Sequence, residues 1–180
     1  KIHNVLKSLV DLKNLKEKNS SVKALAYQLY ENNGVLKREQ VANYLKDLGQ
    51  NERKILRELG VKFGRYHVFL FKLIKPEPVS LRTLLWKNYH QKFFNLFPPT
   101  FGLNFIDDKK FKDKNFMLLC GFEKFNNFFI RIDILERLFM KIISLSSEDK
   151  NEIKMIPEML NLLGCSKGNF KKILNDMGYK

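Results

Sequence analysis

Gly60 to Lys75 sets Lys62, Arg65, His67, Lys72 and Lys75 among four rings, Phe63, Tyr66, Phe69 and Phe71. Cations of this kind pair with phosphate oxygens, and aromatic faces stack on bases at about 1 to 3 kcal/mol per base. Gly60 and Gly64 permit a tight turn or a close backbone approach in the same stretch. Phe69 and Phe71 are expected to fill a core, leaving Lys62 and Arg65 to make the contact. Just upstream, a helix from Asn51 to Leu59 turns Ile55, Leu56 and Leu59 inward, so that Arg53, Lys54 and Arg57 point away. Near the end of the chain, Lys167, Lys171 and Lys172 share the outward surface of a last helix with Asn169 and Asn175. They could touch phosphates, or serve only to keep that helix soluble.

Other chemistries find no support in the residue pattern. No G-x-x-x-x-G-K-[ST] occurs, so the backbone cradle and lysine that hold nucleotide phosphates are missing. His3, His67 and His90 are scattered, and the carboxylate pairs Asp107 with Asp108 and Glu148 with Asp149 sit in polar stretches where no burial would raise a pKa. Cys120 and Cys165 have neither a C-x-x-C spacing nor a histidine cluster nearby, which points to two buried reduced thiols and a cytoplasmic setting. No catalytic residue, cofactor site or metal site is therefore assigned. A membrane partner is not expected either, since no apolar stretch reaches the roughly 18 residues of a span and no signal-peptide core is present. The start at Lys1 rather than Met leads us to expect a fragment of a longer polypeptide.

Bulk charge points the same way as the motifs. The chain carries 33 Lys and Arg against 19 Asp and Glu, a formal charge of +14. Residues 1–92 hold 19 of the basic and 8 of the acidic side chains, so the polyanion-seeking face belongs mainly to the first half. With 44% hydrophobic residues in 180, the chain can bury a substantial core.

The elements that must position these cations are mostly α-helical: a helical bundle with helix-turn-helix-like units and a small β-hairpin or short strands in a Phe-rich middle. Helices are expected over 1–18, from a cap at Ser20 or Ser21 to about Asn32, over 36–47, over 51–59 and from Val79 to Phe93. Val61 to Leu73 reads as an extended piece, and Pro76 and Pro78 break structure before the next helix. Residues 93–130 gather eleven Phe with Pro98 and Pro99, and Met117–Phe122 could pair with Phe128–Ile132 as a hairpin. Asp133 with Glu136 resembles a capping box ahead of Ile134 to Ile143, and Ser146 to Glu152 reads as a linker. Pro157 then opens a short helix closed by Gly164, and Ser166 caps a last one that Gly178 closes. Three regions follow: a basic helical 1–92, a Phe-rich 93–132 and a helical 133–180. Residues Ile55 to Lys62 echo Ile173 to Lys180, each reading as helix, Gly-containing turn and second basic-faced helix.

The string GVKFGRYHVFLFKLIKPEPVSLRTLLWKNYH at Gly60 to His90 resembles the C-terminal region of bacterial DExH-type, superfamily 2 ATP-dependent helicases related to the mitochondrial degradosome RNA helicase. RIDILERL at Arg131 to Leu138 and MIPEMLNLLGCSKGNFKKILNDMGYK at Met155 to Lys180 extend the likeness. It covers roughly Ser20 to Lys180 and is poorest in the Phe-rich middle. The resemblance implies an accessory region beyond two RecA-like motor domains that hydrolyse ATP with Mg and unwind RNA. No ATP-site residue carries over onto this chain. The expected function is thus nucleic-acid binding, RNA foremost, beside helicase motor domains of the same polypeptide and with a nuclease as a conceivable further partner. Two alternatives stand beside it: a stand-alone helix-turn-helix DNA-binding protein, and a protein-interaction scaffold.

Overall fold

The computed structural model describes residues 2–91, 95–107, 113–125, 127–145 and 156–179. The helix expected over 1–18 is broken into α1 (Ile2–Val5) and α2 (Lys7–Lys13), and Leu15 lies beyond the second piece. Asn14, a residue that competes for backbone hydrogen bonds, is where α2 stops. α3 (Ser20–Glu31) is capped one residue earlier than expected: the Asn19 side-chain oxygen accepts from the N–H groups of Ser21 and Val22 at 3.0 and 3.1 Å.

Residues 36–47 do not form one helix. They divide into β1 (Val35–Lys37), a 3-10 turn (Arg38–Val41) and α4 (Ala42–Lys46), because Val35 and Leu36 are claimed by strand pairing that a local apolar rhythm does not reveal. α5 (Gln50–Glu58) follows, and the extended piece proves to be a hairpin, β2 (Val61–Phe63) and β3 (His67–Leu70), ended by a second 3-10 turn at Phe71–Ile74. The sheet is antiparallel in the order β1-β3-β2. α6 (Pro76–His90) begins three residues before Val79, since a proline in the first turn lacks only an N–H that would have no helical partner. Gln91 ends it in the left-handed region, at φ 51°.

Leu12, Leu25, Leu29, Leu36, Leu56 and Val68 are among the side chains of a buried cluster shared by α2, α3, α5 and the sheet. Helix α3, strand β1, helices α4 and α5, then the hairpin: this is the element order of a helix-turn-helix with an attached β wing. Arg82 anchors α6 from inside the same unit. It is 3% exposed, and its guanidinium donates to the carbonyls of Asn33 at 2.6 Å, Leu73 at 2.5 Å and Leu119 at 3.0 Å.

The remaining described elements are β4 (Phe105–Asp107), α7 (Lys114–Leu119), β5 (Phe122–Phe125), β6 (Phe128–Arg131), α8 (Ile132–Leu145), α9 (Pro157–Leu163) and α10 (Lys167–Asp176). A hairpin forms as expected, but its first strand starts at Phe122 because α7 takes Met117 to Leu119. Asp133 is no cap, since α8 continues straight from β6 and the Asp133 carboxylate accepts from Arg131 Nε and Nη2 at 2.6 and 3.1 Å. Residues 108–112 of the polar run and the linker at Ser146 to Glu152 lie outside the described residues. With 61% helix and two three-stranded sheets, the chain is mostly α, with the strands the Phe-rich middle was expected to supply.

Contacts divide the chain into one unit of Lys1–Pro98 with Leu119–Gly121, and a second of Pro99–Leu118 with Phe122–Lys180. Each unit holds the same sheet. Val35 opposite Phe69, Leu36 opposite Val68 and Lys37 opposite His67 become Phe105 opposite Ile130, Ile106 opposite Phe129 and Asp107 opposite Phe128. Val61 opposite Leu70 becomes Phe122 opposite Arg131, a shift of 61 positions on both strands of the hairpin. Gly60 and Gly121, also 61 apart, join helix to hairpin at φ 91° and 87°, a left-handed turn that favours glycine. The fully buried Leu56 and Val68 correspond to the fully buried Met117 and Phe129. The echo between Ile55 to Lys62 and Ile173 to Lys180 is shallower: helix and left-handed glycine recur, but in the first unit a strand, not a helix, follows Gly60.

Candidate nucleic-acid interface

In the first unit the alternation of β2 puts Val61 inside and Lys62 outside. Arg65 lies exposed at the tip of the hairpin, between strands that Gly64 N–H closes by donating to the His67 carbonyl at 2.8 Å. Phe63 turns toward α5, where the Arg53 and Arg57 guanidinium carbons stand 5.5 and 5.7 Å from its ring centre. Two cations over one ring fix the wing against the helix. Lys54 and Arg57 are exposed on α5, together with the acid Glu58.

Arg53 does a different job from the one its spacing indicates. It is half-buried, and its Nε and Nη2 donate to the carbonyls of Leu48 and Leu45 at 3.1 and 2.8 Å. Those carbonyls belong to α4 and the turn after it, so Arg53 ties α5 to α4. Arg38, which the sequence reading did not single out, does the same for the wing: its Nη1 donates to the Gly64 carbonyl at 2.7 Å and its backbone N–H to the Tyr66 carbonyl at 2.8 Å. Only its position, 26 residues before Gly64 in sequence, kept it from view. Of the rings in this stretch, Phe69 is buried as expected, and Phe71 is half-buried beneath Lys75, whose Nζ lies 4.2 Å from its centre.

The second unit carries its own basic helix. Ser166 caps α10 by accepting from the Asn169 N–H at 3.3 Å, and Gly164, at φ 70°, makes the turn from α9. Phe170, Ile173 and Leu174 are buried, which leaves Lys167, Lys171 and Lys172 exposed. An ion pair of Lys141 with Glu158 and a hydrogen bond from Asn104 Nδ2 to the Leu162 carbonyl at 2.9 Å hold α9 in place.

Burial pushes the Cys120 thiol up to about 12, against the smaller opposing effect of the nearby Arg82 charge, and it lowers Arg82 to about 10. Burial also raises the half-buried Cys165. Both shifts disfavour the thiolate, which is the reactive form. Among the described residues no three His, Cys, Asp or Glu side chains gather as metal ligands, and no helix is long and apolar enough to cross a membrane. What the arrangement can do is hold polyanions by Lys and Arg contacts. No family model, curated protein or solved structure matches the chain.

Proposed function

We propose that this chain is the nucleic-acid-gripping accessory module of an ATP-dependent helicase whose motor lies outside it, with RNA as the strand held. One observation carries the reading: Lys54, Arg57, Lys62 and Arg65 are exposed on a helix and wing that Arg53, Arg38 and Phe63 lock together. Phosphate contacts from such a surface give affinity without base readout. The resemblance at Gly60 to His90 supplies the helicase context, and that string spans the wing and α6. ATP and Mg would bind the motor, not this chain.

Replacing Lys54, Arg57 and Lys62 by Glu tests the grip. Affinity for single-stranded RNA should fall about 100-fold at moderate salt, in keeping with the phosphate term that dominates such binding. Unchanged affinity in a folded triple variant would dismiss it. The succession of α9, the left-handed turn at Gly164 and the basic-faced α10 favours one second reading, a sequence-reading DNA binder. Selection from a random duplex library would then return a defined site, whereas the accessory module returns none.

A further inference from the structure

The end of α6 presents aromatic rings to solvent in a way the sequence reading did not foresee. Tyr89 is 85% exposed and Phe97 68%, more than any other large hydrophobic side chain in the described residues. Trp86 and His90, one helical turn apart, have ring centres at 4.4 Å, and Tyr89 meets His90 edge-on at 5.1 Å. Lys87 Nζ donates to the Leu96 carbonyl at 2.9 Å and sits 4.6 Å from the centre of the Phe97 ring. The one acidic residue of α6, Glu77, is in its first turn, so the aromatic end carries Lys87 and His90 with no carboxylate. Exposed rings beside a fixed ammonium, on the more basic half of a +14 chain, match a ligand that offers π-faces and phosphates together. An aliphatic protein partner would match the rings but not the cation.

We infer that the C-terminal end of α6, with Tyr89 and Phe97 as stacking faces and Lys87 as phosphate contact, is a base-stacking platform for single-stranded nucleic acid. The inference rests on the nucleic-acid reading above and adds a substrate class to it: unpaired bases, with either sugar. Duplexes keep their bases stacked and gain nothing from it.

The test compares a twelve-nucleotide oligothymidylate with an abasic phosphodiester strand of equal length, using the intact chain, with Trp86 emission and titrated affinity as readouts. The wild type should bind the thymidylate about 10-fold or more tightly than the abasic strand, and Trp86 emission should change with the former alone. Tyr89→Ala with Phe97→Ala should abolish that difference without weakening abasic binding, while Tyr89→Phe retains it. Equal affinity of the wild type for both strands overturns the platform and leaves the α5 grip standing. Failure to bind either strand overturns both. Loss of self-association in the double Ala variant, at unchanged thymidylate affinity, would assign the face to protein contact and overturn it as well.

Discussion

The two sheets share strand order, register and the left-handed glycine before the hairpin, yet the side chains around them differ in charge. Between β1 and the hairpin the first unit has 23 residues, room for a 3-10 turn, α4 and α5, where the second has 14 and, among the described residues, α7 alone. At positions 61 apart, Lys54 becomes Asn115, Arg57 becomes Leu118 and Lys62 becomes Glu123, which is 5% exposed. The shared part is the apolar frame of Leu56, Val68 and their counterparts Met117 and Phe129, and the first unit adds exposed cations and a longer connection that holds a 3-10 turn, α4 and α5. In the second unit the basic helix comes after the sheet, on α10.

The sharpest way to separate the units is through Arg82. Arg82→Met strands the buried carbonyls of Leu73 and Leu119 and the part-buried carbonyl of Asn33, and destabilisation of about 2 to 5 kcal/mol is expected from the unsatisfied acceptors. Hydrogen exchange should show lost protection in α3 and β3 while β6 and α8 keep theirs. Next come the charges. Against the 100-fold loss expected for the α5 and wing reversal, Glu at Lys167, Lys171 and Lys172 should cost about 10-fold, and Glu at Lys114 and Asn115, the exposed counterparts of Arg53 and Lys54 in the second unit, under about 2-fold. A loss at Lys114 and Asn115 as large as at α5 would erase the distinction between the copies.

The junction glycines discriminate more finely. A methyl at Gly121 would stand 2.9 Å from Ile74 Cγ2, whereas one at Gly60 would find Leu70 at 3.9 Å. Both carry the left-handed penalty, so Gly60→Ala should cost about 1 kcal/mol and Gly121→Ala about 2 or more in urea unfolding. The smallest effect is alkaline. A thiol raised from 9 to about 12 by burial lends stability that is whole below pH 9 and drains away as pH climbs toward 12. Between pH 9 and 10, below the lowered Arg82 value, the loss should be about 1 kcal/mol, and Cys120→Ala should remove it.

Caps and closed helices were legible in the residues. Pro157, Gly164 and Ser166 mark α9 and α10 because their signals are local, a missing N–H, a left-handed φ and a side-chain acceptor. Strand β1 was not legible, since Val35 and Leu36 become a strand only by meeting Phe69 and Val68, more than 30 positions away. The site divides along the same line. Exposure of Lys54, Arg57 and Lys62 follows from helical and strand periodicity, but the use of Arg53 and Arg38 depends on carbonyls that folding brings to them. The exposure of Tyr89 was not legible because an aromatic at helical spacing looks the same whether it enters a core or faces solvent.

The salt dependence of RNA affinity tests the grip most directly. Four exposed cations on α5 and the wing, each displacing counterions from a single strand, give a slope of log K against log salt of about −3, and the Glu triple variant should fall to about −1. A slope near zero for the wild type, with affinity retained at high salt, would contradict binding through phosphates and with it the function proposed for this surface.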